Sequence, residues 1–354
     1  MDSTTVSTFN DASTVAEFSD ELGVYVTNIL NILFLTFMFL IGTVGNILII
    51  GALFVHARLR VRSNIFIGNL AVADFCVTAI INPLNVVGVI HSQMFYQYPV
   101  ICDAIGCLCL VSCFVSIWSI AAITLNRYIA ICHSGMLYHR IYNRKTIPFI
   151  IAGIWIYCFF VDLPNFLGWG EHVFNSRARL CLFDYTVSYS YTLYLVCLAI
   201  AIPMFLVSFC YVRILLFAWK SKQRLRKFAN TDSVTCPRIP GGRNRIRTTD
   251  VRLLRSVAST WVAFIIMWTP FVIVVLLDPG DWSGSVFAVA ITLAHCNSSI
   301  NSIIYGATNP NFREGYVKFV KRIGRLMCCG RKPKSETSTS DVTSSKINTS
   351  MSKD

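Results

Sequence analysis

Residues 102–134 read C-D-A-I-G-C-L-C-L-V-S-C-F-V-S-I-W-S-I-A-A-I-T-L-N-R-Y-I-A-I-C-H-S. From Cys102 to Leu125 the stretch is nearly all apolar or small, with one acid, Asp103, beside the cysteine. Arg127 then stands between Asn126 and Tyr128. A helix from Cys102 to Arg127 would be roughly 38 Å long at ~1.5 Å per residue. That exceeds the ~30 Å hydrocarbon core of a bilayer. One continuous helix therefore carries a cysteine at one membrane face and an arginine near the other.

The flanking chain has the same character. Its 354 residues are 55% hydrophobic and 14% charged, with a mean hydropathy of +0.58, whereas a soluble domain carries roughly 25% charged residues. Seven apolar segments, about 25–55, 64–90, 99–132, 147–169, 189–218, 251–277 and 285–307, are each long enough to span a bilayer. Pro83, Pro164, Pro203 and Pro270 are tolerable inside them because neighbouring helices satisfy the freed carbonyls. The pattern predicts an all-α membrane protein, a seven-transmembrane helix bundle embedded in the lipid bilayer. The N-terminus is acidic and polar with no basic n-region, so the first span, rather than a cleavable signal peptide, is expected to direct insertion.

A net charge of +13 raises the question of nucleic acid, and the distribution of charge answers it. No Lys or Arg precedes Arg58, and of the 31 in the chain only Arg177 and Arg179 fall in segments assigned to the outside. This is the positive-inside bias, which sets the N-terminus outside and the C-terminus inside. A nucleic-acid partner would need a basic face on a folded soluble domain, and none is expected.

The expected organisation is an extracellular tail over 1–24, the bundle over 25–308, an amphipathic helix at the inner membrane face over 309–329 and a disordered cytoplasmic tail over 330–354. In the amphipathic stretch Phe312, Tyr316, Phe319, Val320 and Ile323 alternate with Arg313, Lys318, Lys321, Arg322 and Arg325. Cys328 and Cys329 end it as candidate palmitoylation sites, and the Ser/Thr-rich tail beyond suits phosphorylation. The 14 cysteines include no CxxC pair with a second ligand pair at zinc spacing. Most lie in apolar spans as small buried hydrophobes. Cys102 and Cys181 fall near the outer face, in an oxidising compartment, and a disulfide between them is expected. Asp74, well inside the second span, is either protonated or partnered.

Gly45-Asn46, Leu70-Ala71-Val72-Ala73-Asp74, Cys102, Asn126-Arg127-Tyr128, Trp155, Pro203, Trp268-Thr269-Pro270 and Asn301-to-Tyr305 fall in order along the seven spans, at least one in each and two in the third. This set resembles the rhodopsin-like (class A) G-protein-coupled receptors over roughly residues 25–330. Asn126, the run Ile131-Cys132-His133-Ser134, and Asn301-Ser302-Ile303-Ile304-Tyr305-Gly306 make the chain most similar to the melatonin-receptor-like group.

The resemblance implies roles. Arg127 would face a heterotrimeric G protein, of the inhibitory type in the melatonin-like group, once activated. With Asn126 uncharged, Asp250 would hold Arg127 in the resting state, while a solvated helix-start acid is the simpler reading of Asp250. Tyr211 and Tyr305 would swing toward Arg127. Ser302, in place of the usual proline, should alter the bend of the seventh helix. Ile117, Pro203, Phe264 and Trp268 match a packed switch below the ligand pocket. Asp74, Ser116, Asn297 and Asn301, with Asn46 nearby, match a sodium site of oxygen donors; a hydrogen-bonded Asp74 with water is the plainer alternative. No other cofactor is implied. Arrestin and receptor kinases would act on the tail, and the expected location is the plasma membrane.

The implied pocket includes Cys109, Cys113, Asn165, Phe183, Val272 and His295. Cys109 occupies the position where amine receptors place an aspartate, so a cationic amine lacks its counter-ion. No lysine lies in any span, and His295 stands at the opsin lysine position, which excludes a retinal Schiff base. A lone intramembrane histidine is more often a packing residue than a ligand contact. Tyr185 stands where melatonin receptors have glutamine, and Val272 replaces another polar position. The ligand expected is a small, neutral or weakly polar extracellular molecule, and the protein is expected to act without catalysis. A seven-span transporter or channel is the alternative, and it would need inverted repeats or several intramembrane charges; Asp74 reads as the only acid deep in the bundle. An intramembrane hydrolase would need a nucleophile and base on facing spans, and none is apparent.

Overall fold

The computed structural model of the protein describes residues 4–176, 179–229, 248–278 and 284–328. Among them are seven helices long and apolar enough to cross a membrane: Tyr25–Val55, Arg62–Ile90, Pro99–Cys132, Thr146–Phe166, Tyr189–Ser221, Leu254–Leu277 and Val286–Thr308. Their polarity is inverted relative to a soluble protein. Phe37, Leu40, Phe149, Phe205, Leu215 and Val289 point outward, exposed, while Asn46, Asp74, Asn297 and Asn301 are buried inside. In hydrocarbon, backbone polar groups must be satisfied within the segment and polar side chains find partners on facing helices.

The third helix, Pro99–Cys132, is the hub. It packs against the second, fourth, fifth and sixth helices and against both strands of the outer loop. The sixth and seventh helices pack along each other, and the first packs on the second and seventh.

Two prolines are absorbed by local widening of the helix. A π-helical turn at Val77–Ile81 precedes Pro83, and another at Val196–Ala201 precedes Pro203. A proline ring clashes with the carbonyl four residues earlier, Ala79 or Ala199 here, and one extra residue in the turn relieves that clash. Pro270 lies within the α-helix Thr248–Leu277.

Four features differ from the sequence expectation. The first helix begins at Thr4, so residues assigned to the outer tail continue the first span's helix. The fourth span ends in a 3-10 turn at Phe166 rather than reaching 169, and the fifth helix runs on to Ala229. The outer loop between them forms a hairpin, β1 (His172–Asn175) antiparallel to β2 (Leu180–Phe183), with Phe174 opposite Cys181. Short extended segments with mostly apolar residues pair readily once a disulfide holds one strand against the bundle.

An eighth helix spans Pro310–Cys328. Pro310 starts it, where its missing N–H costs no hydrogen bond, and Asn309 Oδ1 accepts from the Asn311 N–H at 3.1 Å. Phe312, buried, stacks on Tyr305 at 5.1 Å between ring centroids. Among the described residues, the chain up to Phe319 belongs to one compact unit and Val320–Cys328 lie outside it. Cys329 and the whole of the expected tail lie outside the described residues, as does the side chain of Cys328.

Candidate functional site

The expected site residues fall in layers along the third helix. At the outer end, Cys102 and Cys181 form a disulfide with Cα atoms 5.2 Å apart. It lays β2 over the bundle, and all four β2 residues are buried. Phe183 meets Phe271 at 6.4 Å and Tyr191 at 6.5 Å, both edge-on. Tyr185 stacks on Phe287 at 5.1 Å, and its hydroxyl donates to Asp278 Oδ2 at 2.8 Å. Val272 is half-buried and packs against the core.

Asn165 belongs to a second buried cluster. Its Nδ2 donates to Asp162 Oδ1 at 2.8 Å and to the Tyr191 hydroxyl oxygen at 2.7 Å. His172 Nε2 lies 3.2 Å from the same carboxylate oxygen, with both side chains almost fully buried. Gly106 makes room for this histidine, since a Cβ there would sit 2.6 Å from His172 Cδ2. Asp162, the last residue of the fourth α-helix, is fully buried like Asp74, although it lies at the end of its span rather than deep within it. Its signal was an acid inside an apolar run, masked by its nearness to Pro164.

Below the lid, Cys109, Cys113 and His295 come together. Cys109 Sγ lies 3.4 Å from His295 Nε2, and one ligand atom from each of the three residues falls within 4.8 Å of the others. The expectation that no nucleophile and base face each other across spans is thus corrected at the level of distance. Further in, Trp268 stacks on Phe264 at 5.3 Å and meets Phe271 edge-on at 5.7 Å. Ile117 belongs to the same buried core, and Pro203 is buried at the bulged fifth helix.

Asp74 occupies the centre. Oδ1 accepts from Ser116 Oγ at 2.9 Å and Oδ2 from Asn301 Nδ2 at 2.6 Å. Asn46 Nδ2 donates to the Ser298 carbonyl at 3.1 Å. The Oδ1 atoms of Asn46, Asn297 and Asn301 are buried with no hydrogen-bond partner among the described residues. Two carboxylate oxygens, a hydroxyl and unsatisfied amide oxygens make a donor set that fits a hard cation such as sodium.

At the inner end Arg127 is buried and donates from Nη2 to Ser63 Oγ. Ser63 went unnoticed in the sequence because an isolated serine carries no pattern. Asn126 is fully buried, and Tyr128 meets His133 edge-on at 5.0 Å. Tyr211 donates to the Leu254 carbonyl at 3.3 Å, tying the fifth helix to the sixth, and Tyr305 is fully buried. Asp250 sits in the first turn of the sixth helix, and its side chain lies outside the described residues.

Outside the spans, His56 is wedged against the eighth helix, with Nε2 3.4 Å from Glu314 Oε2 and Nδ1 3.3 Å from Lys318 Nζ. Burial, and then the Lys318 charge, hold its imidazole below the usual 6.5.

A family model described as 7 transmembrane receptor (rhodopsin family) matches residues 45–305. The chain belongs to that family.

The receptor is 31% identical over 296 residues to melatonin receptor type 1B-B of Danio rerio, covering 82% of this chain and 81% of the relative. It is 32% identical over 287 residues to human melatonin receptor type 1B, covering 79% and 75%. Among solved structures, squid rhodopsin superposes with a TM-score of 0.71 at 22% identity, over 86% of the receptor and 88% of that chain, which shows the shared fold. The receptor is thus a multi-pass membrane protein of a family that couples an extracellular ligand to a G protein, close to the melatonin receptors. A transporter or channel is not favoured.

Proposed function

We propose that the receptor binds a small, neutral or weakly polar molecule beneath β2 and relays its presence to a heterotrimeric G protein of the inhibitory type. The observation that carries this reading is the aromatic lid of Phe183, Tyr185, Phe271 and Phe287 over a layer that holds Cys109 where amine receptors have an acid. Aromatic faces favour flat, apolar ligands with few polar groups. Asn165, Val272 and His295 would supply the remaining contacts. Because relatives named as melatonin receptors share about a third of the sequence, melatonin is the first ligand to test, and the Tyr185–Asp278 pair argues for a related molecule with different polar contacts.

Signalling is a population shift between resting and active arrangements, with no bond made or broken. In the resting state Arg127 would be held by Asp250, and Tyr211, Tyr305 and the Ile117–Pro203–Phe264–Trp268 layer would rearrange on activation. A sodium ion held by Asp74, Ser116, Asn297 and Asn301 would stabilise the resting arrangement by adding positive charge beside the buried carboxylate. The N-terminus would face outside at the plasma membrane. Cys328 and Cys329 would carry palmitate, and receptor kinases and arrestin would act at the Ser/Thr-rich tail.

The deciding experiment is ligand-stimulated nucleotide exchange on a purified G protein by the receptor in nanodiscs. Exchange driven by an indole or other flat neutral ligand is expected; activation only by cationic amines would overturn the pocket reading. Basal exchange should rise in Asp250→Ala, and an unchanged basal rate would remove the ion-pair lock.

A further inference from the structure

We propose that Cys109, Cys113 and His295 form a zinc-binding site in the bundle core, joining the third helix to the seventh. The proposal does not depend on which extracellular ligand the receptor takes. Cys109 and Cys113 are four residues apart on one helix, a spacing that stacks their side chains on the same face. His295 comes to them from the seventh helix. The three residues are 6%, 4% and 2% exposed, and their ligand atoms all lie within 4.8 Å of one another.

The distances suit zinc. Tetrahedral arms of about 2.3 Å to sulfur and about 2.1 Å to nitrogen put the sulfur and nitrogen roughly 3.5 Å apart. Cys109 Sγ and His295 Nε2 are 3.4 Å apart, so that edge of the tetrahedron is already in place. Modest rotamer adjustment brings in the Cys113 sulfur.

Charge and donor chemistry point the same way. Zinc binding converts two thiols to thiolates and releases two protons, while the imidazole binds neutral. A divalent ion with two thiolates leaves no net charge, which a buried, low-dielectric site tolerates far better than a lone ion. Sulfur and imidazole select zinc over sodium, whereas the oxygen donors around Asp74 select the reverse. The two sites, about one turn apart on the third helix, therefore do not compete for one metal. Three protein ligands leave a fourth coordination position for water or for a donor atom of a ligand.

A nucleophilic Cys–His pair is the competing chemistry for the same atoms. A nucleophilic pair and a zinc-bound imidazole both call for a partner on the other ring nitrogen, and His295 Nδ1 is buried with no hydrogen-bond partner among the described residues, so that atom does not separate the two. A second thiol within reach, which nucleophilic catalysis does not require, is what a metal site needs.

The test uses the full-length receptor, purified with chelator and then titrated with zinc or cobalt. One zinc per chain is expected by elemental analysis, with thiolate-to-cobalt charge-transfer absorption and a zinc-dependent rise in the thermal unfolding midpoint. Cys109→Ser, Cys113→Ser and His295→Ala should each weaken zinc binding by more than the about 10–100-fold that loss of an outer-shell partner costs, while remaining monodisperse and helical. Cys158→Ala and Cys210→Ala, which alter buried cysteines elsewhere in the bundle, should leave it unchanged. Absence of a thiolate–cobalt band in the folded wild type, or zinc binding that survives all three ligand substitutions, would overturn the proposal. If a ligand variant misfolds, protection of Cys109 and Cys113 from alkylation by zinc in the wild type serves instead. Protection supports the site, and equal labelling with and without zinc rejects it.

Discussion

Asn301 donates through Nδ2 to Asp74 Oδ2 at 2.6 Å, joining the seventh helix to the second at the centre of the bundle. Ser116 on the third helix holds the other carboxylate oxygen at 2.9 Å. Three helices thus share one acid. Replacing Asp74 by Ala leaves two buried donors without this acceptor, at about 1–3 kcal/mol each. The thermal midpoint of Asp74→Ala should fall clearly below that of wild type, with Asp74→Asn between them, at one fixed scan rate. Equal midpoints would show that these hydrogen bonds are replaced by others. Separately, the sodium dependence of agonist affinity should vanish in Asp74→Asn.

Gly45 lets the first helix approach the seventh. A Cβ at this position would overlap Ser302 Oγ and crowd Ser302 Cβ. Gly45→Ala is expected to destabilise the receptor by about 1–3 kcal/mol through overpacking. Adding Ser302→Gly removes both overlapping atoms and should restore most of the loss. The double variant, compared with each single one by thermal unfolding, measures this coupling directly.

The Cys102–Cys181 disulfide carries β2, and β2 carries Phe183 into the bundle. Cys181→Ala should cost about 2–5 kcal/mol of stability and sharply reduce ligand-driven nucleotide exchange. Cys102→Ala with Cys181→Ala should behave like either single variant, since both remove the same bond. An additive loss in the double variant would mean that the thiols act separately.

His56 makes the contact between the first helix and the eighth sensitive to acid. Its imidazole is held below 6.5 in the folded protein by burial and by Lys318. As the pH falls below 6.5, the unfolded chain takes up this proton before the folded one does, so stability is lost with acidification. The wild-type midpoint should therefore drop more than that of His56→Asn between about pH 7.5 and about pH 5.5. Parallel curves for the two proteins would assign the acid sensitivity to other groups.

Much of the fold was legible in the sequence because hydrocarbon imposes a length and a composition on each span. The run from Cys102 to Leu125 could hardly be anything but a membrane helix, and it became the hub of the bundle. The hairpin over 172–183 was not legible, since two four-residue strands carry little pattern of their own. Asp162 was missed because an acid near a helix end looks solvated until a loop histidine is seen to close over it. Ser63 beneath Arg127 and Asp278 beneath Tyr185 are single polar residues whose partners lie far along the chain.

The seven spans, the inner and outer charge bias and the ordered motifs of the family are properties of the linear chain, because each is set by adjacent residues or by the membrane. Which buried polar groups meet is a property of helix packing. Cys109, Cys113 and His295 show the difference. No spacing in the chain marks a metal site, because two of its ligands share one helix while the third lies 182 residues beyond Cys113. Helix packing alone brings their donor atoms within 4.8 Å.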